Sequence, residues 1–137
     1  MDHTVSLAIQ KCIDVCHSCA LVCKQTIIHC IHEGGKHSDP EHLEQLISCT
    51  VICQASVDAG ILEVLIHKIP APKSSDYSEE LFDVMAAHSP YMDQMCVICV
   101  DICESCAESC DQFDNKEMKK CANECRACEK VCRDMTQ

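Results

Sequence analysis

The chain has 137 residues, sixteen of them cysteine, and a formal charge of −11 from 11 basic and 22 acidic side chains. The length fits a single domain over 1–137. The acidic balance argues against nucleic acid as a partner, and the scarcity of aromatic residues and glycine argues against an all-β domain. No apolar run reads as long enough to span a bilayer, so no membrane partner is expected.

The first residues, MDHTVSLAIQKCIDVC, show no positively charged start, continuous apolar stretch or small-residue cleavage site. A cytoplasmic location is therefore expected. Cytosolic thiols are kept reduced, which makes metal a better use for sixteen cysteines than disulfides.

The first predicted helix runs from about Val5 to Glu33 and ends at Gly34-Gly35. Asp39 and Pro40 read as N-cap and first residue of a second helix reaching about Lys68. Pro70 and Pro72 open a loop, and a short amphipathic helix follows over Ser78 to His88. Ser89-Pro90 starts a third long helix to about Gln112, Asp114-Asn115 makes a turn, and a fourth runs from about Lys116 to Met135. The expected fold is all-α. It is an antiparallel four-helix bundle with cysteines lining the core, plus a short extra helix between the second and third main helices.

The cysteine spacing carries the chemistry. The first helix has Cys12, Cys16, Cys19, Cys23 and Cys30, and the second has Cys49 and Cys53. The third has Cys96, Cys99, Cys103, Cys106 and Cys110, and the fourth has Cys121, Cys125, Cys128 and Cys132. Steps of three and four define the seam of a heptad, so the cysteines face the bundle axis where Leu and Ile ordinarily sit. The same rhythm passes through Val5, Ile9, Thr26 and Glu33 in the first helix and His42, Leu46, Ser56 and Gly60 in the second. It also takes in Met85, Ser89, Met92 and Phe113 around the third and Met118 and Met135 around the fourth. Aliphatic files flank the seam: Ile13, Ala20 and Ile27, then Val15 and Val22, then Val97, Val100 and Ile102.

A core of reduced cysteines with no ligand packs less volume than leucine. In-helix disulfides are strained, because Cβ atoms at i and i+3 or i+4 lie about 5–6 Å apart and a bridge needs about 3.5–4.5 Å. Cys16-His17-Ser18-Cys19 and Cys125-Arg126-Ala127-Cys128 match a C-x-x-C redox motif without the strand context it needs. The loop cysteines typical of iron–sulfur proteins are missing. Zinc or another soft metal and a thiol redox buffer stay open as alternatives.

Charge favours Cu(I). Sixteen buried thiolates carry −16, a prohibitive charge if uncompensated. Four tetrahedral zinc ions, each taking four thiolates, leave half of it in place. Monovalent Cu(I), held by two or three bridging thiolates, neutralises the core at roughly one ion per cysteine. Thioethers are soft as well, and Met92, Met118 and Met135 lie at the ends of the stripes, with Met118 the strongest further ligand candidate. So many thiols imply capacity, hence storage or sequestration. No catalytic constellation is present, and an enzyme is not expected.

The runs CIDVCHSCALVC, SCTVIC, SPYMDQMCVICVDICESCAESC and CANECRACEKVC together resemble the bacterial cytosolic copper storage proteins, cysteine-rich four-helix bundles. The resemblance implies many Cu(I) ions held by thiolates inside the bundle, assembly as a homotetramer, and safe holding of copper in the cytosol. A cytosolic copper chaperone is a reasonable partner. Thr26, Met118 and Glu41 stand where such proteins commonly continue the cysteine ladder, and Phe113-Asp114-Asn115-Lys116 replaces a histidine-rich turn. The stretch from about Ile61 to His88 is expected to close one end of the bundle or build a subunit interface. The opposite end, with Cys30, Cys110, Cys121, Met118 and one of His29, His32 or His42, is the expected copper entrance.

Overall fold

The computed structural model describes residues 3–68 and 90–136. Four long helices account for nearly all of them: α1 (His3–Glu33), α2 (Pro40–Lys68), α3 (Pro90–Cys110) and α4 (Lys116–Met135). Among the described residues, neighbouring helices pack in the cyclic order α1, α2, α3, α4, and the diagonal pairs meet only through side chains on the axis, as Cys12 meets Cys96 and Cys49 meets Cys125. Contacts such as His42 to Ser109 and Cys53 to Cys99, or Cys16 to Cys132 and Cys30 to Met118, run in opposite senses along each pair. The bundle is therefore antiparallel throughout, as the short joins predict. The short helix expected over Ser78–His88, and most of the stretch expected to plug the bundle, lie outside the described residues.

Local chemistry sets the helix ends. Gly34 and Gly35 take positive φ angles of 72° and 56°, where a side chain would clash with its own backbone. The Gly34 amide donates back to the Cys30 carbonyl at 3.0 Å, closing α1. A single 3-10 turn (Gly35–Ser38) then hands the chain to Pro40, and the Ser38 hydroxyl also donates to the Cys30 carbonyl. Asn115 caps α4 by accepting from the Met118 amide at 2.9 Å. α3 ends at Cys110, earlier than the spacing predicts. Beyond it the Gln112 and Phe113 amides reach back only three residues, to Ser109 and Cys110.

The core follows the predicted seam. All sixteen cysteines are buried, with Ile9, Leu46, Met92 and Met118 completing the axis. Three expectations need correction. Glu33 is exposed, because α1 ends there. Val97 is half exposed, since only Val100 of that file turns fully inward. Glu41 is exposed too, because the α2 seam passes through His42 and Leu46 instead. The bilayer expectation is also revised: residues Pro40–Ile66 of α2 are long and apolar enough by composition to cross a membrane. The bundle accounts for that composition differently, with one stripe of α2 buried against the thiols.

Candidate metal centre

Each helix delivers its thiols to the axis because residues three and four apart share a face. Antiparallel packing then brings four such faces together. Cys16 Sγ lies 3.6 Å from Cys132 Sγ and 3.7 Å from that of Cys128. Cys128 is 3.7 Å from Cys99, and Cys99 is 3.8 Å from Cys103. Cys103 is 3.8 Å from Cys53 and 3.9 Å from Cys49. Cys125 stands 3.9 Å from Cys49 and 3.8 Å from Cys19, and Cys23 is 3.9 Å from Cys121. Cys12 extends the network at one end, 4.0 Å from both Cys16 and Cys96. All sixteen thiols are free.

Buried quartets of thiols converge to within 4.8 Å, and five of them form a ladder. Cys16, Cys132, Cys99 and Cys128 share the Cys99/Cys128 pair with the next quartet, which adds Cys53 and Cys103. That pair is shared with Cys19 and Cys49, those with Cys23 and Cys125, and those in turn with Cys106 and Cys121. Four-coordinate zinc needs four thiolates to itself. Quartets that share every interior pair suit a monovalent soft ion bridged by common sulfurs.

Burial raises the proton affinity of every thiol in this ladder, and contact between neighbours splits the result. Hydrogen bonds from other thiols, and burial, hold Cys16, Cys23, Cys103, Cys125 and Cys132 above the ordinary thiol range. Hydrogen bonds from surrounding thiols draw Cys12, Cys19, Cys99 and Cys121 below it. A metal that binds here displaces protons, so acid competes with it.

One end differs. Cys30 Sγ is 3.4 Å from His42 Nε2 and 3.7 Å from Met118 Sδ. His42 is buried, and its Nδ1 lies 2.7 Å from Ser109 Oγ. With the proton on Nδ1 donated to Ser109, Nε2 presents its lone pair to Cys30. Burial holds the His42 imidazole below the ordinary histidine range. Phe113 packs at a tilt against the rings of His42 at 4.7 Å and His37 at 4.2 Å, and His37 meets His29 edge-on at 5.9 Å. At the other end Ile9, Met92 and the carboxyl side chain of Glu63 are fully or nearly fully buried.

Every cysteine singled out from the sequence lies on the axis, and Met118 lies beside Cys30. Of the three histidines considered for this end, His42 reaches a thiol, while His32 is exposed on the last turn of α1. Ser109 was not anticipated, because it sits one residue off the seam. Glu63 was missed although the α2 rhythm of 49, 53, 56 and 60, carried one step further, arrives at it.

The family model described as "copper storage protein" matches residues 5–65 and 72–137. A cysteine-rich protein of Bacillus subtilis (strain 168), YhjQ, itself uncharacterised, is 28% identical over 130 residues, covering 92% of this chain and 94% of its own. The crystal structure of the Nmul_A1745 protein from Nitrosospira multiformis superposes with a TM-score of 0.69 at 30% identity, covering 95% of both chains. The Cu(I)-bound copper storage protein BsCsp3 superposes with a TM-score of 0.70 at 25% identity, covering 95% of this chain and 99% of its own. Since the matched segments take in all four helices and every cysteine of the ladder, the chain belongs to the copper storage protein family.

Proposed function

We propose that this protein stores Cu(I) as its cargo, many ions per chain, on the thiolates of Cys12 through Cys132 within one domain over 1–137. The observation that carries this reading is the ladder of thiol quartets sharing every interior pair, buried along its length with the sulfurs of each quartet within 4.8 Å of one another. Met118 adds a thioether at one end. Similarity to a copper storage protein whose structure contains Cu(I) supports the choice of ion. The reading is storage without catalysis, in the cytosol, with a small copper chaperone as donor or acceptor.

Anaerobic titration of the reduced protein with Cu(I), in competition with a chromophoric Cu(I) chelator, tests it. Uptake of roughly one ion per cysteine before the chelator colours is expected. Saturation at one to four ions would sink storage and favour zinc or thiol redox buffering.

Assembly as a homotetramer belongs to the same proposal. Leu21, Ile28 and Ile31 form an exposed apolar stripe on α1, and Ile47 and Val51 form another on α2, the kind of surface that subunit contacts cover. Light scattering during gel filtration should give four times the 15.2 kDa chain mass, and Ile47→Glu with Val51→Glu should lower it. A wild-type monomer would refute the assembly.

A further inference from the structure

The thiol ladder is interrupted on one side only, and the interruption isolates a different kind of site. On α1 the step between Cys23 and Cys30 is filled by Thr26, buried, with its hydroxyl committed to the Val22 carbonyl at 2.7 Å. On α2 the step between Cys49 and His42 is filled by Leu46, also fully buried. The antiparallel register that pairs Cys30 with His42 sets Thr26 opposite Leu46. A hydroxyl spent on a carbonyl and an isobutyl group offer a soft ion no ligand. On α3 and α4 the thiols continue without a gap through Cys106, Cys110 and Cys121.

Beyond this gap lie a thiol, an imidazole and a thioether: Cys30, His42 and Met118. All three are buried, and of them it is His42 that borders a groove open to the outside. An open groove between α2 and α3, edged by Asp39, Glu41, Glu44 and Glu108 with Lys36 as its one cationic side chain, runs in to His42 and Ser109. Its carboxylates raise the local concentration of cations. Ser109 fixes the imidazole plane from behind, through the 2.7 Å hydrogen bond to Nδ1, as outer partners of metal-binding histidines commonly do.

We infer that Cys30, His42 and Met118 form a separate mixed nitrogen–sulfur exchange site, fed from the side groove, which passes Cu(I) to the ladder along the α3/α4 side through Cys110 and Cys121. Ser109 is its positioning residue. The transfer is ligand exchange at constant oxidation state. Each thiol that binds the ion releases its proton, and recovers one when the ion moves on. The site rests on the storage reading, and it adds a route to it.

The test is stopped-flow loading of the anaerobic, reduced full-length protein with Cu(I) from a weak chromophoric complex, with final stoichiometry read separately. His42→Ala, Met118→Leu and Cys110→Ser should each slow loading by about tenfold or more while capacity falls by about one ion at most. Ser109→Ala keeps the ring and removes only its hydrogen bond, and should slow loading at full capacity. Thr26→Cys supplies the missing rung on the α1 side, and should restore the rate when added to Cys110→Ser. Wild-type loading rates in the His42→Ala and Ser109→Ala proteins at full capacity would overturn the exchange site and leave storage intact. Failure of Thr26→Cys to restore the rate would overturn the one-sided route. A wild-type protein that takes up only a few ions would overturn storage itself.

Discussion

Cys30 shows how a single residue ties the fold to proton balance. Its thiol is pushed up to about 11, from an ordinary 9.0, by burial first and then by the neighbouring Cys121 and Cys106 thiols and Glu33. The native chain therefore keeps a proton on Cys30 that the unfolded chain has already lost between pH about 9 and 11. Stability falls wherever the native state holds more protons. Urea unfolding of the reduced, metal-free protein should show a midpoint that drops as pH rises through that window, and the drop should be shallower in Cys30→Ala. Equal slopes in the two proteins would remove Cys30 from the account. The seam position of Cys30 was legible from its spacing. Its imidazole neighbour was legible only as a register position, because nothing in the order of residues places Ser109 behind the ring. That contact arises between helices whose meeting is a tertiary event.

Among the elements, α1 and α2 owe their close approach to one missing side chain. A Cβ built on Gly60 would stand 2.6 Å from Ile13 Cγ1, well inside van der Waals contact. Gly→Ala in a helix ordinarily gains about 1 kcal/mol, whereas forcing a methyl into a packed interface costs about 1–3 kcal/mol. Gly60→Ala should therefore leave the metal-free protein less stable by about 1 kcal/mol, and the penalty should vanish in a background carrying Ile13→Ala. A double-mutant cycle by denaturant unfolding measures both, and additive effects would show that the helices do not press together there. Helix boundaries came through the sequence well because glycine and proline mark them. Gly34-Gly35 and Pro40 bracket the first join. The end of α3 was read too late because Gln112 belongs to the closing turn, a distinction made by hydrogen bonds to Ser109 rather than by composition. The misplaced Glu41 has a similar origin, since position 41 and seam position 42 are neighbours in sequence but point to different sides of α2.

The molecule as a whole was legible to an unusual degree because its interior is made of one residue type, and that type is rare. A leucine core reveals where a helix faces and nothing of what it binds, whereas cysteines at seam positions report both. Spacing alone did not reveal that the quartets share every interior pair, which depends on the relative height of four helices.

The closed end has one more consequence. Among the described residues, Ile9, Met92 and Glu63 are buried past Cys12 and Cys96 and fill that end of the axis. With the inferred exchange site as its mouth, such a vessel fills from the far wall and empties in the reverse order, so the newest ions are the ones on offer and the oldest lie in deep reserve. Protein half-filled with one stable copper isotope and topped up with the other should surrender the second isotope first to a chelator. Equal proportions from the first ion withdrawn would mean that the queue reshuffles faster than it drains.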